Sequence, residues 1–180
     1  MVLIPSGNFI MGTNKIDNED THKKIGAVKP LYLDQHPERT VFLESYYIDR
    51  FEVTNKKYER FINENSFTDY PAHWTDKTYP EGESEHPVTQ VTWWEAWSYC
   101  QWEGKQLPTE AQWEKAARGP DGLSFPWGNE FIKDNANVGI EGDRKTVPVD
   151  AYPKDSSPYK VIGLSGNVME WTLDWYLPYP

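Results

Sequence analysis

The chain has 180 residues and a formal net charge of −10, from 28 acidic and 18 basic side chains. This charge disfavours nucleic acids and anionic membranes as partners, because both bind through a basic surface. Aromatic residues make up 15% of the chain, a content that disordered chains lack, so we expect one loop-rich domain over residues 1–180 with large rings in its core.

The first predicted elements are extended. Val2–Ile4 and residues 8–11 are short apolar runs on either side of a Pro-Ser-Gly turn, a pattern typical of two strands. Residues 14–37 are polar and irregular, which predicts a surface loop. Residues 40–53 are rich in Tyr, Phe and Val, so they are also predicted to be extended.

A first helix is predicted from residue 54 onward. Thr54 is a candidate N-cap, and Tyr58, Phe61 and Ile62 follow it at helical spacing. Three prolines then interrupt residues 67–90, so this segment is predicted to be a loop.

Two further helices are predicted from capping boxes. Thr92 begins Thr-Trp-Trp-Glu and Thr109 begins Thr-Glu-Ala-Gln, and in each box the fourth side chain can reach back to the threonine amide. Gly104 and Gly119 are placed to end these helices. The predicted apolar faces are Trp93, Ala96, Trp97 and Cys100 in the first helix, and Trp113, Ala116 and Ala117 in the second. Farther on, residues 168–176 are predicted to form a strand.

Seven segments stand in a fixed order along the chain. They are residues 4–12; residues 51–55 with Tyr58 and Phe61; residues 87–88 with 91–93; residues 99–102 with 107–114; and residues 116–119, 126–129 and 166–171. The later ones include Leu-Pro-Thr-Glu-Ala, Pro-Trp-Gly-Asn and Gly-Asn-Val-Met-Glu-Trp. In this order they resemble the formylglycine-generating enzyme (sulfatase-modifying-factor) family from one end of the chain to the other. Helix capping, tight turns and ring burial also explain them, so no catalytic or cofactor-binding residue is predicted among them.

The resemblance implies an α+β, C-type-lectin-like fold with irregular backbone, two prominent helices and small sheets. The family includes oxidases that use copper and oxygen to convert a sulfatase cysteine to formylglycine, and also binding or accessory domains without that activity. As the family performs it, the oxidation needs a pair of thiols, and soft thiolates select Cu(I).

Cys100 is the only cysteine, which excludes an internal disulfide and any zinc site with two thiolates. The family keeps its cysteine pair in a C-terminal third that we expect to be missing here. We therefore expect a domain of this family without oxidase activity, binding copper only if a further part carries the pair. Two alternatives stay open: a fragment of an active copper-dependent oxidase, and a non-catalytic, lectin-like ligand-binding or accessory domain.

The resemblance also implies a first calcium site at Asn137, Val138, Glu141 and Asp143. Asn137 would supply its side-chain oxygen, Val138 its carbonyl, Glu141 its carboxylate, and Asp143 a carbonyl or carboxylate. Calcium takes six to eight oxygen ligands of these kinds. Ordinary turns contain the same residue types, so an acidic solvated loop is the alternative.

A second calcium site is implied at Gly166, Val168 and Glu170, which would supply two carbonyls and a carboxylate. The family has Asn or Asp three residues before this glycine, whereas Gly163 has no side chain to offer. Calcium affinity depends on ligand charge, so we expect this site to be weak or empty. Glu170 could instead be hydrogen-bonded under the ring of Trp171.

A protein or peptide substrate, or a glycan, is the expected partner. In the predicted loop over residues 67–90, Tyr70, Trp74 and Tyr79 could stack on a sugar or a peptide, with core packing as the alternative. The sequence has no run of about 18 apolar residues, the length that spans a membrane. It also shows no secretion signal, which makes a cytoplasmic location the default expectation.

Overall fold

The computed structural model describes residues 1–18, 32–65, 69–138 and 145–179. Short strands and three helices lie in this part of the chain: β1 (Val2–Ile4), β2 (Gly7–Met11), β3 (Arg39–Leu43), β4 (Tyr46–Ile48), α1 (Asn55–Asn65), α2 (Trp93–Trp102) and α3 (Glu110–Arg118). Single turns of 3₁₀ helix lie at Leu33–Gln35 and Lys133–Asn135. The mixed α and β architecture, with small sheets, is confirmed. None of these helices has the length and apolar character needed to cross a membrane.

The four strands form two antiparallel pairs. β1 pairs with β4, so that Ile4 faces Tyr46, and β2 pairs with β3 in continuation of the same register. The two pairs are separated at Pro5, which has no backbone N–H to donate to the ladder. The extended stretch predicted over residues 40–53 is therefore two shorter strands, each pairing with a different partner.

The predicted capping boxes begin α2 and α3. Oγ1 of Thr92 accepts a hydrogen bond from the Glu95 N–H at 3.3 Å, and the Glu95 carboxylate accepts one from the Thr92 N–H at 2.6 Å. Thr109 and Gln112 make the same reciprocal pair at 3.2 and 2.9 Å. Each box satisfies two N–H groups that an uncapped helix start leaves free. Both helix starts are therefore confirmed at the predicted residues.

An aromatic core cluster joins α1 to α2 and to the segment between them. Tyr58, Phe61 and Ile62 of α1 are buried, as predicted, against Tyr99 of α2 and against Trp74. Neighbouring ring centroids are 5.4–6.1 Å apart, within the range of favourable aromatic pairs. Trp74 thus belongs to the core, which is the alternative that the sequence left open for it.

The inner face of α2 differs from the predicted one. Tyr99 is the buried residue of this helix, whereas the predicted face is only partly buried: Trp93, Ala96, Trp97 and Cys100. The helix carries rings on more than one side, so helical spacing alone could not select the side that packs on α1. The predicted face is therefore right for Cys100, which packs against the core cluster, but it misses Tyr99.

A second cluster packs α3 against β1. Its buried members are Ile4, Ala116 and Val161. Lys115 is 1% exposed, and its Nζ donates to the carbonyls of Pro5 and Gly7 at 2.8 and 2.9 Å. These carbonyls lie at the break between the two strand pairs, so the buried amine has hydrogen-bond partners there. Lys115 thereby ties α3 to the turn between β1 and β2.

The strand predicted at residues 168–176 is wrong, because the structure assigns no strand there. Single hydrogen bonds hold the segment instead. Trp171 Nε1 donates to the Val91 carbonyl at 3.0 Å, and the Leu173 N–H donates to the Pro108 carbonyl at 2.8 Å. The segment therefore lies across the starts of α2 and α3 without pairing in a sheet, and Trp175 and Tyr176 within it are 91% and 75% exposed.

Candidate functional site

An open groove of about 730 Å³ lies beside the first turn of α3. Its lining includes predicted calcium ligands from two parts of the chain: Asn137, Val138, Gly166, Val168 and Glu170. The other two predicted ligands, Glu141 and Asp143, lie outside the described residues. The fold thus brings residues assigned to two separate calcium sites to one surface.

Asn137 and Gly166 are in direct backbone contact at this groove. The N–H of Asn167 donates to the Asn137 carbonyl at 2.9 Å. A Cβ atom at position 166 would lie 2.5 Å from the same carbonyl oxygen, a distance that real Cβ atoms essentially never show. Glycine is therefore required at position 166, because the two segments approach so closely.

Two acceptors orient the side chain of Asn137. Its Nδ2 donates to the Lys145 carbonyl at 3.0 Å and to Oδ1 of Asn167 at 3.3 Å. The same Oδ1 of Asn167 accepts from the Val147 N–H at 2.9 Å. Since the amide nitrogen of Asn137 makes these bonds, its Oδ1 remains as the acceptor that could serve a cation.

Among the predicted ligands that the structure describes, Glu170 is the one with a charged side chain. Burial raises the pKa of its carboxyl to about 8, with smaller contributions from the charges of Glu52 and Asp155. The Gly166 carbonyl, another predicted ligand, accepts a hydrogen bond from the Val168 N–H at 2.8 Å. A partly buried carboxyl near other carboxyls is stabilised by a proton or by a cation.

The carboxylate of Glu52 lies where a side chain of residue 163 would begin. Gly163 has a φ of 87°, and a Cβ atom on it would lie 2.8 Å from Glu52 Oε2. The second oxygen, Oε1, accepts from Asn167 Nδ2 at 3.0 Å. Burial raises the pKa of Glu52 to about 7, against the lowering effect of this hydrogen bond. The space that Gly163 leaves is therefore taken by an acid from a distant segment.

Asp155 lies against the same turn and is 2% exposed. Its Oδ2 accepts from the Ser165 N–H at 3.1 Å, and its carbonyl accepts from the Gly163 N–H at 3.2 Å. Burial raises the pKa of Asp155 to about 6. Sequence reasoning missed both Asp155 and Glu52, because neither belongs to a ligand motif. The sequence did hold one indication of them. Gly163 has no side chain, so it leaves room for a side chain from a distant segment.

Within the described ranges, no three His, Cys, Asp or Glu side chains are arranged as a metal site. The predicted ligand sets consist mainly of carbonyl and amide oxygens, so they do not require a cluster of three such side chains. Oxygen donors suit a hard cation such as calcium, whereas a transition metal prefers nitrogen and sulfur.

Cys100 lies at the wall of an apolar cavity of about 430 Å³, which adjoins the groove and shares Val168 and Glu170 with it. Both core clusters contribute to this wall, Tyr58 from the first and Val161 from the second. Burial raises the pKa of the Cys100 thiol to about 11. The thiol is therefore almost wholly protonated near neutral pH and acts as a small hydrophobic group.

A family model described as the sulfatase-modifying factor enzyme 1-like domain matches residues 1–180. The chain is 31% identical over 232 aligned residues to the formylglycine-generating enzyme of Bos taurus, covering 98% of this chain and 58% of that enzyme. It is 32% identical over 228 residues to the inactive C-alpha-formylglycine-generating enzyme 2 of Mus musculus, covering 99% of this chain and 70% of that protein. A Chlamydia caviae protein named serine/threonine-protein kinase pkn1 is 34% identical over 197 residues, covering 98% of this chain and 28% of the kinase.

The chain thus spans less than two thirds of the length of the cattle enzyme. These relatives differ in what their names say of activity, since one is called an enzyme and another is called inactive. Membership of this family therefore does not by itself imply oxidase activity.

Proposed function

This chain belongs to the sulfatase-modifying factor enzyme 1-like family, and we propose that it is a calcium-binding, C-type-lectin-like domain without oxidase activity of its own. The observation that carries the proposal is the set of donor atoms. Oxygen donors from two segments gather at one groove, whereas Cys100 supplies the single thiol of the chain.

Copper is the cofactor that the oxidase activity of the family implies, and the donors of this chain do not fit it. As the family performs the reaction, two thiolates hold the soft Cu(I) ion. Cys100 offers one thiol with a pKa of about 11, at the wall of an apolar cavity. One protonated thiol does not provide the two-thiolate site, so we derive no catalytic step from it.

Calcium fits the groove better. Oδ1 of Asn137, the carbonyls of Val138, Gly166 and Val168, and the carboxylate of Glu170 are hard oxygen donors of the kind calcium takes. The loops that carry them have few ladder hydrogen bonds of their own, so an ion that links them would stabilise the fold. When bound, calcium would supply this structural link and no redox chemistry.

The oxidase part is tested by incubating the chain with Cu(I), oxygen and a peptide that carries a sulfatase cysteine motif. The bovine enzyme, assayed in parallel, shows that the conditions support oxidation. We expect the peptide cysteine to stay unchanged by mass spectrometry. Aldehyde product from the chain alone would overturn the proposal. Product that forms only after a cysteine-bearing partner segment is added would favour the alternative, a fragment of an active oxidase.

A second candidate function, binding of a peptide or a glycan, is favoured by an aromatic surface at the start of α2. Trp94 is 69% exposed, and its ring contacts those of Trp93 and Trp97 at centroid distances of 4.9 and 6.1 Å. Trp93 Nε1 donates to the Thr172 carbonyl at 2.8 Å, next to Trp171, which is 49% exposed. Contiguous exposed aromatic side chains often mark a binding surface.

Glycan and peptide arrays probed with the intact chain test this second function. We expect Trp94→Ala to weaken any specific binding. Tyr47→Ala is the matched control, because Tyr47 is 64% exposed but lies on β4. If both variants bind equally, the aromatic surface is not the binding site.

A further inference from the structure

The apolar cavity beside Cys100 has a volume of about 430 Å³. Small organic ligands are held in cavities of about 300–1,000 Å³ that are lined mainly by apolar side chains. Tyr58 and Tyr99 of the first core cluster contribute to its wall, together with Tyr46 and Val161 from around the second. Residues of β4, α1, α2 and α3 all lie in this wall. A molecule inside the cavity would therefore be in contact with most elements of the fold.

The charged side chains at the wall disfavour an anionic ligand. Nζ of Lys105 already donates to both carboxylate oxygens of Asp49, at 3.0 and 2.9 Å. The other acids of the wall are Glu52 and Glu170. Burial raises their pKa values to about 7 and 8, so neither is fully charged near neutral pH. An uncharged and largely apolar molecule therefore suits this wall best.

The hydroxyl of Tyr58 is a polar group of the wall that lacks a partner. Tyr58 is 1% exposed, and its hydroxyl has no hydrogen-bond partner in the described part of the chain. A buried hydroxyl without a partner costs free energy, because it has left water without gaining another bond. Contacts with the rings of Phe61, Trp74 and Tyr99 hold the ring of Tyr58 in place, at centroid distances of 5.4, 6.1 and 5.8 Å.

This hydroxyl is a hydrogen-bond donor over the whole physiological pH range. Burial raises the pKa of Tyr58, and the charges of Glu95 and Asp69 raise it further, so the hydroxyl keeps its proton. A ligand oxygen that accepts this proton would satisfy the hydroxyl, and the apolar wall would supply the rest of the contact area. Small-molecule sites commonly combine an apolar wall with a few polar groups that orient the ligand.

We propose that the cavity binds an uncharged, mostly apolar organic molecule whose carbonyl or ether oxygen accepts a hydrogen bond from Tyr58. The wall gives the affinity, and the hydroxyl selects ligands with a suitably placed acceptor. This inference is separate from the proposed calcium function, because Tyr58 is not among the predicted calcium ligands.

Calorimetric titration with a matched pair of compounds tests the hydrogen bond. Acetylnaphthalene carries one carbonyl oxygen, and isopropylnaphthalene, substituted at the same ring position, has nearly the same shape without it. We expect Tyr58→Phe to weaken binding of the ketone about three- to tenfold, the contribution of one hydrogen bond. Binding of the hydrocarbon should not weaken. The anionic naphthoate should bind the wild type more weakly than the ketone does.

The stability of Tyr58→Phe separates this role from a structural one. The hydroxyl has no partner in the described part of the free chain, so its removal should leave the melting temperature equal or higher. The rise in melting temperature that saturating ketone gives should be smaller in the variant. A variant that weakens ketone and hydrocarbon binding equally would overturn the assigned hydrogen bond.

Two variants of α2 test whether the compounds bind in the cavity. Ala96 lies at the wall, so Ala96→Phe places a ring in the cavity and should abolish binding of both compounds. Gln101→Phe adds the same ring at an exposed position of the same helix and should bind as the wild type does. Full binding by Ala96→Phe, with a melting temperature like that of the wild type, would overturn the inference.

A measurement on the unaltered chain keeps the test decisive if Ala96→Phe does not fold. Intermolecular nuclear Overhauser effects should join the naphthyl protons to the methyl group of Ala96. Effects confined to exposed rings such as Trp94, or no binding of either compound, would overturn the inference and leave the calcium function standing. A chain that binds the ketone as expected but retains no calcium would overturn the calcium function alone.

Discussion

The carbonyl oxygen of Asn137 lies 2.5 Å from the point where a Cβ atom of Gly166 would be. The predicted ligand segments of two calcium sites therefore touch through their backbones, with no room for a side chain between them. This contact, together with the hydrogen bond from Asn167 to the Asn137 carbonyl at 2.9 Å, makes the two segments one structural unit.

Gly166→Ala should destabilise the chain, because the added methyl group forces the two backbones apart. Overpacking of this kind costs about 1–3 kcal/mol, measured as the free energy of unfolding in urea. Ser165→Ala is the neighbouring control, since it removes atoms and should have a smaller effect. Equal stability of Gly166→Ala and the wild type would contradict the close contact.

Without metal, the stability of the chain should fall as the pH rises. The pKa values of Asp155, Glu52 and Glu170 are raised to about 6, 7 and 8 from ordinary values of 3.8 and 4.5. The folded chain therefore keeps protons that the unfolded chain has released. The stabilisation that these protons give the folded chain is fully present below about pH 4 and is lost progressively up to about pH 8.

Melting temperatures measured in a chelator across this pH range test the prediction. Glu52→Gln should flatten the pH dependence, because one of the raised carboxyls is gone. Saturating calcium should flatten it as well, since a bound cation compensates the charges that form. A melting temperature that rises with pH in the chelator would contradict the raised pKa values.

Cys100 should react slowly with thiol reagents in the folded chain. Its pKa of about 11, against an ordinary value of 9.0, lowers the thiolate fraction about a hundredfold near pH 8. Rates of iodoacetamide labelling, measured with and without denaturant, check this. The same rate in both conditions would show an exposed and reactive thiol, and would weaken the argument against metal binding at Cys100.

Local chemistry explains what the sequence predicted correctly. The capping boxes at Thr92 and Thr109 involve residues three positions apart, so the helix starts could be read from short segments. The inward positions of Ala116 and Ala117 follow from the same helix. Family resemblance then placed Asn137 and Gly166 among the ligands, and the fold brings both to one groove.

Long-range packing explains what the sequence did not predict. The rings of α1 determine which face of α2 is buried. Because α2 carries rings on several sides, its own sequence indicates no single face. Lys115 is buried because its Nζ bonds carbonyls at the break between two strand pairs, an arrangement that exists only when the strands are in place. Glu52 and Asp155 meet at Gly163 through the fold, so no spacing pattern could reveal them.

Calcium content is the measurement that tests the central claim most directly. The chain is equilibrated with calcium by dialysis near pH 8, freed of unbound metal, and analysed for calcium per chain alongside its melting temperature. The account predicts at least one bound calcium, removed by chelation together with a fall in melting temperature, and absent from Glu170→Gln. A chain that retains no calcium and melts at the same temperature with or without it would contradict the account.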